Sequence, residues 1–458
     1  MTSALPATVE QQYARARLSR DRRFDGVFFV AVTSTGIFCR PVCPARLPAE
    51  RNVRYFTHAT HALREGFRPC LRCRPDSAPQ SYAWLGVTTT VRRAAALLSE
   101  IPAAPVADIA ARLGISTRYL HVLMQRHFGV APKTFQIMQR VLFAKQLLQQ
   151  TELGMDDVAV SAGFASTRQL QRAIKQYCQL TPGDLRRGQP QTGGGPSLTV
   201  LLRYRPPYNW PQVRDFLKAR AIEQVEHVGE QHYRRNLGSA DGDGTLTAEH
   251  LPDMHGFRVT LQLANLSAAH RVLNTLRRVL DLDAEPGLID TALNQAGLPT
   301  AARTEGLRLP GCWSEFEAGC RAIVGQQVSV KAAIGQVTAL THALQSDDKA
   351  PMTFPTPEAV AGADLAFLKM PGARKRALSA FAEYAAATSA EFDAEALLAI
   401  KGVGPWTVNY VRMRGASEPD IYLHGDLVVR KVASRFALRP DEAAPWRSYL
   451  TLQLWHLA

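Results

Sequence analysis

Between residues 189 and 197 the chain reads QPQTGGGPS, three consecutive glycines flanked by Gln, Pro and Ser, and such a stretch cannot bury a core. A single fold therefore cannot run through it, and the chain must be built from separate parts. Its length of 458 residues points the same way, since one core rarely grows past about 250 to 300 residues; three or four units are expected. The linker also marks a charge boundary. Of the formal net charge of +14, the first 190 residues carry 26 Lys and Arg against 12 acids, and residues 191–458 carry 28 against 28. The whole excess lies upstream. Lys and Arg in such excess point to a polyanion, nucleic acid before membrane, because neutralising phosphates releases counterions. No apolar run reaches the roughly 20 residues that a bilayer span needs, and MTSALPATVEQQYARARLSRD lacks a signal-peptide stretch, so a cytoplasmic protein without membrane attachment is expected.

Seven cysteines in so long a chain do not make a disulfide scaffold, and four cluster tightly. Cys39, Cys43, Cys70 and Cys73 form C-x3-C, a gap of 26 residues, then C-x2-C. Two thiol pairs at these spacings can each close on one side of a tetrahedral ion, and sulfur-only ligation favours one Zn²⁺. Spacing alone is equally served by a zinc knuckle that only folds its loop. The surrounding text, RFDGVFFVAVTSTGIFCRPVCPAR, RNVRYF and GFRPCLRCRPD, closely resembles the N-terminal metal-binding domain of the Ada family, here residues 1–80. The resemblance implies that Cys39 is both a zinc ligand and a nucleophile taking methyl groups from methylated DNA phosphates.

Residues 106–128, VADIAARLGISTRYLHVLMQRHF, and 158–177, VAVSAGFASTRQLQRAIKQY, share one plan: a short helix, Gly114 or Gly163, then Ser-Thr-Arg opening a longer helix. Gly supplies the turn, Ser116 or Ser166 caps the next helix, and the Arg projects where a major-groove helix meets bases. Two such units joined by a helix near Phe135–Gln150, with FGVAPKTF and LTPGDLRR, resemble the AraC-type DNA-binding domain over residues 84–188. Thr117, Arg118 and His121, and Thr167, Arg168 and Gln171, are expected to face DNA. The resemblance also implies a promoter operator and RNA polymerase as partners.

Beyond the linker, LTVLLRY and FRVTLQL alternate as strands around a helix near Pro211–Ile222, giving a strand-rich α+β domain over 198–285; residues 286–458 read as mainly helical. In LLAIKGVGPWTVNYVRMR, residues 397–414, Gly402 and Gly404 make a tight hairpin and Pro405 starts the next helix. Bare backbone N–H groups there suit a DNA phosphate. In YLHGDLVVRKV, Asp426 opens a helix. With FEAGCRAIVGQQVSVKAA at 316–333, APWRSYLTLQLW at 444–455 and PPYNW at 206–210, these features resemble the helix-hairpin-helix DNA glycosylases of the AlkA 3-methyladenine type. The resemblance implies Asp426 as catalytic carboxylate and Trp406, Tyr410, Trp455 and Phe216 as base-pocket aromatics. Strand-nicking relatives have Lys where this chain has Trp406, so base release without strand cleavage is expected. No cysteine follows Cys320, which excludes the C-terminal iron–sulfur cluster of some relatives. Gln327 stands where the AlkA type has a wedging Leu, and Leu427 where an aromatic follows the catalytic Asp; both bear on substrate range.

The expected whole is a multidomain, mainly α protein with a small α+β zinc domain and a strand-rich α+β domain. It would be a monomer acting on double-stranded DNA in the nucleoid, joining a methylation sensor and regulator to a glycosylase. The Pro-Cys-His-Arg centre for reversing guanine methylation is absent. The rival reading is a transcriptional regulator with an inactive glycosylase half.

Overall fold

The computed structural model describes residues 7–70, 72, 73, 75, 89–186, 197–345, 351–388 and 392–458. The linker residues 189–196 and the domain boundary expected near 80–84 lie outside them. Contacts gather the chain into two compact units.

The first unit comprises residues 1–206, 251–274 and 282–285. Its four-stranded sheet has the order Val53–Phe56, Phe29–Val32, Ile37–Cys39, Arg68–Pro69. The first three strands are antiparallel, with Val30 opposite both Cys39 and Tyr55, and the last pairs parallel. Alternation sends Phe28 and Val30 toward Tyr13 of the helix Ala7–Leu18, where the Tyr13 and Phe28 rings stack at 4.1 Å. Phe29, Ala31, Phe38 and Phe56 face the other way, into one core shared with the helices Thr89–Ser99, Val106–Arg112 and Thr117–Phe128. That shared core makes the cysteine-bearing sheet and the first helical pair one packed body. The long helix Pro132–Gln150 is buried on nearly every side, because the helix pairs before and after it both pack on it. The second pair, Met155–Ser161 and Thr167–Cys178, and the short Pro182–Arg186 complete the bundle. Strands Ser197–Arg203 and Gly256–Leu263 pair antiparallel, Val200 opposite Val259; the first alternates strictly between buried and half-buried residues, and the second alternates after two buried residues at its start.

The second unit comprises residues 207–250, 275–281 and 286–458. It holds the helix Trp210–Lys218 and a meander of Glu226–Val228, His232–Leu237 and Gly244–Leu251. Its core centres on the helix Glu315–Val324, buried at all but its first and seventh residues. Phe316 stacks on Phe381 of the helix Gly372–Ala387 at 5.6 Å. Inside this core Glu317, 2% exposed, accepts from Arg235 (2.5 Å) and Arg321 (2.6 Å), and Glu226 accepts from Arg321 (2.8 Å) and Arg235 (3.3 Å). Burial works to raise the Glu317 carboxyl, and the two guanidiniums outweigh it, taking it down to about 2. No helix among the described residues is long and apolar enough to cross a membrane.

Candidate functional site

In the second unit three segments converge on one carboxylate. Asp426 caps the helix Leu427–Ala433: its Oδ1 accepts from the backbone N–H of Val428 (2.9 Å) and Val429 (3.0 Å). Oδ1 also accepts from Trp455 Nε1 (3.2 Å), on the helix Arg447–His456. Oδ2 accepts from Trp406 Nε1 at 3.0 Å. Asp426 is thus the helix cap its position suggests, with two indoles added that no cap requires. Trp406 stacks on Tyr410 at 5.2 Å, and Tyr410 lies 6.4 Å from Trp455. All four residues are half-buried, so the cluster is accessible from solvent.

After Tyr410 the helix Pro405–Tyr410 widens into a π-helical turn, Val411–Gly415, which carries Arg414 inward. Arg414 Nη1 donates to the Tyr410 hydroxyl (3.3 Å), and its guanidinium lies 4.5 Å from the Phe216 ring. Arg220 sits 3.7 Å from the same ring, and burial lowers its guanidinium to about 10. Phe216 therefore joins the cluster through arginines rather than by touching the tryptophans. Sequence reasoning missed both arginines: VRMR announces a basic run but not which member turns inward.

The two hairpin glycines differ. Gly402 has φ +97°, and an added Cβ would come 3.0 Å from Ala377 Cβ. Gly404 has φ −109°, and an added Cβ would meet nothing within 4 Å. The fold itself demands only Gly402; the empty space above Gly404 faces outward. Gln326 pins the hairpin through Gly402 O (2.9 Å) and Thr407 Oγ1 (3.2 Å). Its neighbour Gln327 is exposed at φ +57°. Leu427, directly after Asp426, is 72% exposed.

In the first unit the sulfurs of Cys39, Cys43, Cys70 and Cys73 all lie within 4.8 Å of one another, and all are free thiols. A tetrahedral zinc thiolate site needs sulfurs roughly 3.8 Å apart, so the set fits the ion with small adjustments. The backbone N–H of Arg40 donates to Cys73 Sγ at 3.3 Å. Arg40 is itself fixed by Asp25, through Nε at 2.6 Å and a second guanidinium contact. Hydrogen bonding among the thiols raises Cys39 and Cys73 and lowers Cys70, and the Cys39 contact brings Cys43 down to about 7. Cys39 is half-buried where the other three are 7–8% exposed.

Both helix-turn-helix units form as read. Ser116 Oγ accepts from Tyr119 N (3.2 Å) and Ser166 Oγ from Gln169 N (3.3 Å). Thr117, Arg118, His121, Arg168 and Gln171 are exposed and Thr167 is half-buried. The same outward faces carry Val122, Gln125 and Arg126 on one helix, Arg172 and Lys175 on the other, which sequence reasoning did not single out.

A tetrathiolate centre, paired recognition helices and an indole-held aspartate behind a glycine hairpin define a composite DNA-binding repair protein. Three known domains match: the metal binding domain of Ada over residues 12–76, a helix-turn-helix domain over 109–188 and the AlkA N-terminal domain over 199–314. A Mycobacterium tuberculosis protein, "Probable bifunctional transcriptional activator/DNA repair enzyme AlkA", is 36% identical over 96% of this chain and 95% of its own length. DNA-3-methyladenine glycosylase 2 of Escherichia coli is 34% identical over 56% of this chain and 96% of its own. The Escherichia coli bifunctional transcriptional activator/DNA repair enzyme Ada is 32% identical over 41% of this chain and 52% of its own. The chain belongs to the family of bifunctional AlkA-type proteins that join a transcriptional activator to a DNA repair enzyme. Its four-cysteine centre is a site for one zinc ion.

Proposed function

We propose that the chain releases alkylated purines from duplex DNA with Asp426 as catalytic carboxylate, and that Cys39 takes up methyl groups from methylated DNA phosphates. A purine methylated at N3 or N7 is cationic, so the faces of Trp406, Tyr410 and Trp455 attract it once it leaves the stack. The C1′–N bond breaks with its electron pair going to the base, which departs neutral without a general acid. The sugar left behind is an oxocarbenium ion. An ionised Asp426 stabilises it and orients the water whose oxygen bonds to C1′, and the water's proton passes to the carboxylate or solvent. One observation carries this reading: Oδ1 of Asp426 holds three donors and Oδ2 only the Trp406 indole, so Oδ2 keeps a lone pair for the reaction. Trp406 offers no amine for a Schiff base, and the product is an intact strand with an abasic site. Gly404 and the hairpin backbone hold a phosphate; Gln327 stands at the gap the base vacates, and Leu427 follows the catalytic Asp426.

The test is base release from a duplex bearing methylated purines. Wild type should free the base and leave a strand that breaks only on adding alkali. Strand cleavage without alkali, or equal release by Asp426→Asn, would overturn the reading and favour the regulator with an inactive half.

In the first unit, bound zinc keeps the sulfurs as thiolates at neutral pH. Cys39 Sγ bonds to the methyl carbon, and the O–CH₃ bond breaks with its electrons returning to the phosphate oxygen. The product thioether has one negative charge fewer, so DNA binding tightens and the protein occupies a promoter operator, where it meets RNA polymerase. Half-burial of Cys39 against burial of its three partners supports this choice of sulfur. Peptide masses after exposure to methylated DNA decide it: a methyl on Cys43, or none on Cys39, sinks the assignment.

A further inference from the structure

We propose that the two recognition helices read different bases from one structural position: Val122 reads the 5-methyl group of a thymine where its counterpart Arg172 reads guanine. The inference rests on the helix-turn-helix pair docking in the major groove. The counterpart relation is fixed by the fold. Ser116 and Ser166 cap the two helices alike, and Leu120 and Leu170 both point inward at 0% exposure, as do Met124 and Ile174. Counting from those anchors, Arg118 matches Arg168, Gln125 matches Lys175, and Val122 matches Arg172.

Helical geometry places that position opposite the buried stripe, on the line of the helix farthest from its own core. In the second helix it carries a charged side chain, as an outward position in water should. In the first it carries a valine that is 52% exposed, beside exposed Arg118, Gln125 and Arg126. The flanking cations suit a phosphate-bearing surface, and the charge excess of the first 190 residues suits the same partner. Among the edges that the major groove displays, an apolar side chain has one distinctive complement, the thymine C5 methyl, whereas an arginine matches guanine O6 and N7. The two recognition helices already differ at His121 and Gln171 and at Gln125 and Lys175; the Val and Arg at the outermost register add a further difference between the two half-sites.

The test selects binding sequences for the full-length protein from a random duplex pool, then repeats the selection with Val122→Arg. The base position that responds to the change should be T for wild type and G for Val122→Arg. Deoxyuridine at that T, which removes only the methyl, should weaken wild-type binding about fourfold, the equivalent of about 0.8 kcal/mol for one buried methyl. Val122→Ser should bind thymine and uracil alike. Arg172→Ser should lose a G preference at a separate position and keep the thymine effect. The inference falls if wild type binds uracil as well as thymine, or if Val122→Ser still discriminates. If no sequence is selected at all, the major-groove reading fails together with it; a selected sequence without the methyl effect refutes the Val122 assignment alone.

Discussion

Asp426 caps a helix through one oxygen and, in the proposed mechanism, serves the reaction through the other, and substitution can separate the two roles. Asn caps helices about as well as Asp, so Asp426→Asn keeps an acceptor for Val428 N and Val429 N and should change stability by only a few tenths of a kcal/mol. Asp426→Ala removes the acceptor and should cost about 1 kcal/mol, a fall of about 2–4 °C in Tm for a unit of this size. The indoles of Trp406 and Trp455 are half-buried, so their freed N–H groups can find water and add little. Activity responds to charge instead. A carboxylate about 4 Å from a full positive charge contributes about 4 kcal/mol at an effective dielectric of about 20, which corresponds to about 10³ in rate. Single-turnover base release, with enzyme in excess over a methylated-purine duplex, isolates the chemical step. Asp426→Asn should melt with wild type, bind the duplex with similar Kd and release base about 10³-fold more slowly. An Asn variant within tenfold of wild type would refute the electrostatic role, and an Ala variant melting with wild type would refute the cap.

Other consequences are equally direct. Glu317 has its carboxyl lowered to about 2 in the fold, so its contribution to stability is complete above the ordinary carboxylate range near 4.5 and is lost as pH falls through about 2. Urea unfolding followed across pH should show that decline, whereas Glu317→Gln should be flatter with pH and less stable by about 3–5 kcal/mol at neutral pH. Gly402→Ala forces a side chain to φ +97° and should destabilise by about 1 kcal/mol or more; Gly404→Ala, at a helix N-cap without a clash, should cost under about 1 kcal/mol yet raise the Kd for duplex DNA, as binding titrations would reveal. Metal analysis should find one zinc per chain, and Cys70→Ser should lose it together with the cooperative unfolding of the cysteine-bearing sheet, because ligand binding and folding share one free energy there.

The sequence was most legible where chemistry is local. Cys39 and Cys43, or Cys70 and Cys73, announce a metal by their own spacing, and Ser116 and Ser166 announce caps three residues before the N–H groups they accept from. Legibility fails where bonds span distant segments. The indole donors reach Asp426 from 20 and 29 residues away, and no periodicity encodes that they meet at one carboxylate. Arg414 turns inward because a π turn shifts the helical register after Tyr410, and an ordinary helix drawn through VRMR would aim it elsewhere. The Arg235, Glu226, Glu317 and Arg321 cluster joins three elements whose charges, read singly, look like solvated surface. The common plan of the two recognition helices is legible, but the importance of Val122 follows only from its exposure.

The proposed DNA contacts on either side of the linker also account for why the charge excess stops there. Recognition helices docked in a groove as proposed would meet phosphates through side chains, and exposed Arg126 and Lys175 are available for that, with counterion release making each such contact favourable. A glycine hairpin instead offers backbone N–H groups, which carry no formal charge. Its requirement is space, and Gly404 supplies it: the position is backbone-allowed for any residue and sterically empty within the chain, so no clash within the chain excludes a side chain there. Balanced charge downstream of the linker therefore fits the proposed backbone-gripping hairpin, because phosphate contacts through backbone N–H groups need no formal charge.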